Sequence, residues 1–149
     1  MIEKDRTGSD TESSPAAEPL PAGGTEPAVK PGILIVDDDQ SVTAMLALGL
    51  ALHGFTVWSA NSSEAALALY QKHRQDIAIV ILDVQMPDRD GPQTLAALQA
   101  LNPEIRCCMM SGNTGQYTGE QLRNLGTAWI FEKPFGPSHV VQVLRQLLG

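Results

Sequence analysis

From Gly32 onward, short aliphatic runs alternate with stretches whose apolar residues recur near helical spacing. Ile33-Leu34-Ile35-Val36 predicts a first strand. Gln40 to His53, with apolar residues at Val42, Met45, Leu46, Leu48 and Leu52 near helical spacing, predicts a helix that stops at Gly54. Phe55 to Ala60 reads as a second strand. Asn61, with Glu64 three residues on, predicts the cap of a helix running towards Gln75 with Ala65, Leu67 and Leu69 inward. Ile77 to Leu82 is the most continuously apolar, β-branched run, so it predicts a central strand covered on both faces. Pro92 predicts the first position of a helix ending at Leu101. Arg106 to Met110, Glu120 to Leu125, Ala128 to Glu132 and Ser138 to Leu148 then predict strand, helix, strand and helix. Five strands alternating with five helices through right-handed crossovers give an α/β, doubly wound parallel sheet. Residues 1–30 are rich in Pro, Ser, Thr, Ala, Gly and Glu, and Ile2, Leu20 and Val29 are their only large aliphatics after Met1. They cannot bury enough apolar surface to offset the entropy of ordering, so they predict a disordered tail ahead of a folded unit at 31–149.

The ends of the predicted strands carry the candidate chemistry. Asp37, Asp38 and Asp39 follow the first strand, Asp83 the third, Ser111 the fourth and Lys133 the fifth. In a doubly wound sheet these positions converge at the carboxyl edge, where ligands bind. Clustered carboxylates disfavour one another's ionisation unless a cation neutralises them. A hard divalent ion bound through oxygen is the simplest remedy, and Mg2+ uses one or two carboxylates while keeping positions for water and phosphate. Phosphoryl transfer is therefore the leading chemistry. Asp39 is expected to cap the first helix rather than bind metal, and Asp88 and Asp90 to serve the turn before Gly91.

Composition narrows the alternatives. The 149 residues, 43% of them hydrophobic, suffice for one core. A formal net charge of -7 with no basic stripe argues against a nucleic-acid partner. No apolar run is long enough to span a bilayer and no signal-peptide core is visible, which makes a cytoplasmic protein the expectation. Asn61-Ser62-Ser63 matches a glycosylation acceptor, a pattern with meaning only in a secreted protein. Adjacent Cys107 and Cys108 point to opposite faces of a strand and are expected to be buried thiols. His53, His73 and His139 share no metal-ligand spacing, and Met109 and Met110 read as core.

Four segments in order, Ile33-Leu34-Ile35-Val36-Asp37-Asp38-Asp39, Leu82-Asp83-Val84-Gln85-Met86-Pro87-Asp88-Arg89-Asp90-Gly91, Met109-Met110-Ser111-Gly112 and Glu132-Lys133-Pro134-Phe135, make the chain from about residue 32 to the C-terminus resemble the receiver domain of two-component response regulators. The resemblance implies a flavodoxin-like sheet of strand order 2-1-3-4-5, with Asp83 as phospho-acceptor from a histidine kinase or phosphotransfer protein. It implies Mg2+ bound by Asp38, by Asp37 largely through water, by Asp83 and by the backbone carbonyl of Gln85. Lys133 would pair with Asp83 at rest and with a phosphoryl oxygen afterwards, Ser111 would donate its hydroxyl to another, and Lys133-Pro134 would be cis. Gln85 and Asn113 occupy positions that influence acyl-phosphate hydrolysis.

The last helix reaches Gly149, so a stand-alone receiver is expected: not an enzyme beyond its own phosphorylation and dephosphorylation, acting on an unknown downstream protein. By the same resemblance the first helix would meet the kinase, and the fourth helix, fifth strand and fifth helix the target. The family's usual aromatic three residues before the lysine is replaced by Ile130, and strand alternation sends Trp129 and Phe131 to the other face. A switch depending on Ser111 and the glycine-rich segment after it is the resulting expectation. A Mg2+-dependent aspartyl-phosphate phosphatase is the rival, but such enzymes place an acid where Gln85 stands. A nucleotide- or flavin-binding module lacks a phosphate-cradling loop after the first strand. A degenerate scaffold receiver would not be expected to keep all five site residues.

Overall fold

The structure, a computed structural model, describes residues 30–112 and 117–149. The expected disordered tail, but for Lys30, and residues 113–116, with Asn113 among them, lie outside it. In chain order the elements are β1 (Gly32–Val36), α1 (Gln40–Leu52), β2 (Thr56–Ala60), α2 (Ser63–Lys72), β3 (Ile77–Asp83), α3 (Gly91–Leu101), β4 (Cys107–Ser111), α4 (Gly119–Asn124), β5 (Trp129–Glu132) and α5 (Pro137–Leu148). The strands form one parallel sheet in the order β2-β1-β3-β4-β5.

Strand alternation divides the core in two. Ile33, Ile35, Ile79, Ile81, Cys108, Met110 and Phe131 pack with Leu46 and Leu50 of α1 and Val140 and Leu144 of α5. Leu34, Val36, Val80, Leu82, Cys107 and Met109 pack on the other face with Ala66 and Tyr70 of α2, Leu95 and Leu98 of α3 and Leu122 of α4. The adjacent cysteines accordingly face opposite layers as free, buried thiols. Burial pushes both thiols up, Cys108 to about 12, so they are inert side chains of the core.

Helix faces and caps depart from the sequence reading in specific ways. Along α1 the buried residues are Thr43, Leu46 and Leu50, with Val42 half-buried, whereas Met45, Leu48 and Leu52 are exposed. The helix is apolar almost all round and carries no charge, so its sequence has no polar stripe to mark the outer face. In α2 the buried positions are Ser63, Ala66 and Tyr70; Ala65 is exposed, and Leu67 and Leu69 are only partly covered. That shift follows from the cap, which is Ser62 rather than Asn61: its hydroxyl accepts from the Ala65 amide at 3.1 Å. Asp39 caps α1 as expected, accepting from the amide and hydroxyl of Ser41. Asp88 sits at φ 68 in the turn, while Asp90 has the more definite task of capping α3 in a reciprocal box with Gln93.

Candidate functional site

Sheet register builds the site. Val36 pairs with Leu82 across β1 and β3, so the next residues, Asp37 and Asp83, leave the sheet side by side. Lys133 follows β5 two residues after the inward-facing Phe131, on the same face, and its amide donates to the Ser111 carbonyl at 2.8 Å. The following Lys133-Pro134 bond is cis.

Three carboxylates meet there. Asp37, Asp38 and Asp83 each offer an oxygen, and these atoms lie within 4.8 Å of one another. Asp37 is 1% exposed and Asp83 5%, whereas Asp38 is open to solvent. The Lys133 ammonium donates to Asp83 Oδ1 at 3.1 Å and to Asp37 Oδ2 at 3.3 Å. The contact with Asp37 was not foreseen: sequence assigned that residue to metal alone, and only the β1–β3 register reveals its shared lysine. The other Asp37 oxygen accepts from the Asp39 amide at 2.9 Å, which fixes the turn into α1.

One ammonium does not balance three acids. Burial first, and then the Asp37 charge, push the Asp83 carboxyl up to about 6 against the pull of Lys133. Partial burial works against the Lys133 charge, but its hydrogen bond to Asp83 and the charges of Asp83 and Asp37 win, and its ammonium is held above its ordinary range. Close hard oxygens with unmet negative charge are the donor set a divalent cation of the Mg2+ type requires.

Ser111 ends β4, buried, and Gln85 is exposed in the loop after Asp83 beside Met86, Pro87 and Asp88. That loop is held tight by Gly91, whose amide donates to the Val84 carbonyl at 2.9 Å. A Cβ at Gly91 would meet the Asp83 carbonyl oxygen at 2.5 Å and Val84 Cα at 2.9 Å, so α3 can start this close to β3 only with glycine there. Gly91→Ala is therefore expected to cost about 1–3 kcal/mol, read as a lower thermal midpoint, and to disturb the backbone of Asp83.

The comparisons with known proteins agree with this arrangement. The family model of the response regulator receiver domain matches residues 33–145. The transcriptional regulatory protein PrrA of Mycobacterium tuberculosis is 32% identical over 118 residues, 79% of this chain and 50% of that protein. The transcriptional regulatory protein CpxR of Escherichia coli is 33% identical over 118 residues, 78% of this chain and 48% of its own. The chain thus spans about half the length of these relatives. Among solved structures, the CheX-CheY-BeF3-Mg+2 complex from Borrelia burgdorferi superposes with a TM-score of 0.73 at 26% identity, covering 80% of this chain and 90% of that one.

Proposed function

This chain belongs to the response regulator receiver domain family, and on that footing we propose that it accepts a phosphoryl group on Asp83 from the phosphohistidine of a histidine kinase or phosphotransfer protein. The observation that carries the reading is the buried Asp83 carboxylate, held beside Asp37 with more negative charge than Lys133 offsets. Asp37, Asp38, Asp83 and the backbone carbonyl of Gln85 are the groups that would hold Mg2+. When bound, the ion offsets charge on the phosphoryl oxygens. The structure with BeF3 and Mg+2 named in the CheX-CheY complex supports the assignment by likeness.

The residues divide the work. Lys133 engages Asp83 Oδ1 and leaves Oδ2 to attack phosphorus. As the new P–O bond forms, the P–N bond to the donor imidazole breaks and its electron pair returns to the ring nitrogen, giving an acyl phosphate. Ser111 then donates its hydroxyl to a phosphoryl oxygen, and Lys133 shifts its ammonium to another. Gln85 supplies no acid or base at the position where an aspartyl-phosphate phosphatase keeps one, which favours an acceptor over a turnover enzyme. Docking of the donor on α1 is supported by the exposed side chains of Met45, Leu48 and Leu52 on a helix without charge.

Output is by contact with a downstream protein, not with nucleic acid, consistent with the net charge of -7. Among the described residues no helix is long and apolar enough to cross a membrane, in keeping with action in the cytoplasm. Incubation with an autophosphorylated histidine kinase tests the reading. Transfer that accumulates to one group per chain supports it, and release of inorganic phosphate at enzymatic rates with no phosphorylated chain accumulating overturns it in favour of a phosphatase.

A further inference from the structure

Helix α4 is the most lightly held element around the site. It is 6 residues long and buries only Leu122. Two side-chain hydrogen bonds tie its ends to α3. At the N-terminal end, Tyr117 donates its hydroxyl to Asp90 Oδ2 at 2.8 Å, the carboxylate whose other oxygen caps α3 through the Gln93 amide. At the C-terminal end, Gln99 Nε2 of α3 donates to the Leu125 carbonyl at 3.1 Å. The first tie also joins the segment after Ser111 to the segment after Asp83. The hydrogen bond to the Asp90 carboxylate, and then partial burial, raise the Tyr117 phenol above its ordinary range.

On its other side, towards β5, α4 faces space. A cavity of about 780 Å3 is lined by Ser111, Leu122, Arg123, Ile130, Glu132 and Lys133 among others. Ile130 stands on its wall, an aliphatic side chain too short to fill it. The ties to α3 on one side and the room beside β5 on the other leave α4 space to move, as a switching element requires.

We propose that the Tyr117–Asp90 hydrogen bond, seconded by Gln99 on Leu125, is a latch that holds α4 against α3 in the unphosphorylated protein and is released when α4 moves towards β5 on phosphorylation. The proposal rests on the reading of Asp83 as phospho-acceptor. It assigns to Tyr117, a positioning residue, the coupling that an aromatic side chain at position 130 would otherwise supply. The bond coexists with Lys133 on Asp83, the arrangement of the empty acceptor. Ser111 and Tyr117 both lie on the connection from β4 to α4, and a bond of this length does not survive a shift of α4 of about 1 Å. By linkage, whatever weakens the latch must favour the phosphorylated form by the same factor.

The test uses the full chain with saturating Mg2+ and measures affinity for beryllofluoride, a mimic of the phosphoryl group. Tyr117→Phe is expected to bind it roughly 5-fold tighter than wild type, the worth of one hydrogen bond to a carboxylate at a partly exposed site. Asp90→Ser keeps a capping hydroxyl for α3 but cannot reach Tyr117, so it should give a similar gain. The double variant should gain no more than either single one. A bond that merely stabilises the fold yields variants that melt earlier and bind the mimic no better. Affinity equal to or weaker than wild type in Tyr117→Phe, or gains that add in the double variant, overturns the latch. If wild type itself takes up no beryllofluoride with Mg2+ present, the reading of the site fails and the latch with it.

Discussion

Asp83→Asn abolishes phosphoryl uptake, a loss of at least about 100-fold in labelling since no other side chain replaces the nucleophile, and it makes the metal-free protein more stable at pH 7. The second effect follows from the charge imbalance. A carboxyl raised from 3.8 to about 6 in the folded state binds its proton there more firmly than in the unfolded chain. Its favourable contribution is complete below the unfolded value and is lost as pH rises through about 6. In metal-free buffer this group therefore makes wild-type stability fall between about pH 4 and pH 6, and the amide variant lacks that fall. The full shift corresponds to about 3 kcal/mol, and solvent screening at the mouth of the site reduces it to about 1–2 kcal/mol. Thermal melts in EDTA should place the variant about 5–10 °C above wild type at pH 7. Adding Mg2+ should raise the wild-type midpoint and leave the variant nearly unmoved.

Lys133→Ala is expected to have the opposite effect on the metal-free protein. The ammonium is shared by Asp83 at 3.1 Å and Asp37 at 3.3 Å, and its removal leaves two buried carboxylates without a positive charge beside them, Asp37 keeping only the Asp39 amide. Because the lysine side chain is 30% exposed and a carboxyl can take up a proton instead, the cost is about 1–3 kcal/mol rather than the larger value of a fully buried pair. The same melts check it, and the loss of stability between pH 4 and pH 7 should be steeper than in wild type. In wild type, Lys133 is held above its ordinary value, so its own contribution is present throughout the neutral range and disappears only in strong alkali. Mg2+ should restore the variant by more than it raises wild type, since the ion supplies the positive charge the lysine gave. A variant as stable as wild type in EDTA would mean that the ion pair adds nothing.

The strands and their end residues were legible in the sequence because two signals coincide there. Ile33 to Val36 and Ile77 to Leu82 are unbroken aliphatic runs, and both stop at an acid. A parallel sheet then makes the acids converge, and the observed register sets Asp37 beside Asp83. Helix faces were less legible. In α1 the run Val42 to Leu52 is so uniformly apolar that several inward stripes fit, and tertiary packing chose Leu46 and Leu50 over Leu48 and Leu52. The α2 start was misread by one residue because Asn61 and Ser62 are both good caps, and the backbone selected the serine. Contacts between distant loops, Tyr117 on Asp90 and Lys133 on Asp37, leave no periodic trace in the chain and needed the fold to bring them together.

Intact-mass spectrometry after incubation with acetyl phosphate, with and without Mg2+, bears most directly on the acidic pocket as a metal-assisted phosphoryl acceptor. The account requires a single added phosphoryl group per chain, mapped to Asp83 and absent in EDTA. An unmodified chain with donor and metal both supplied, or a group attached to another residue, contradicts it.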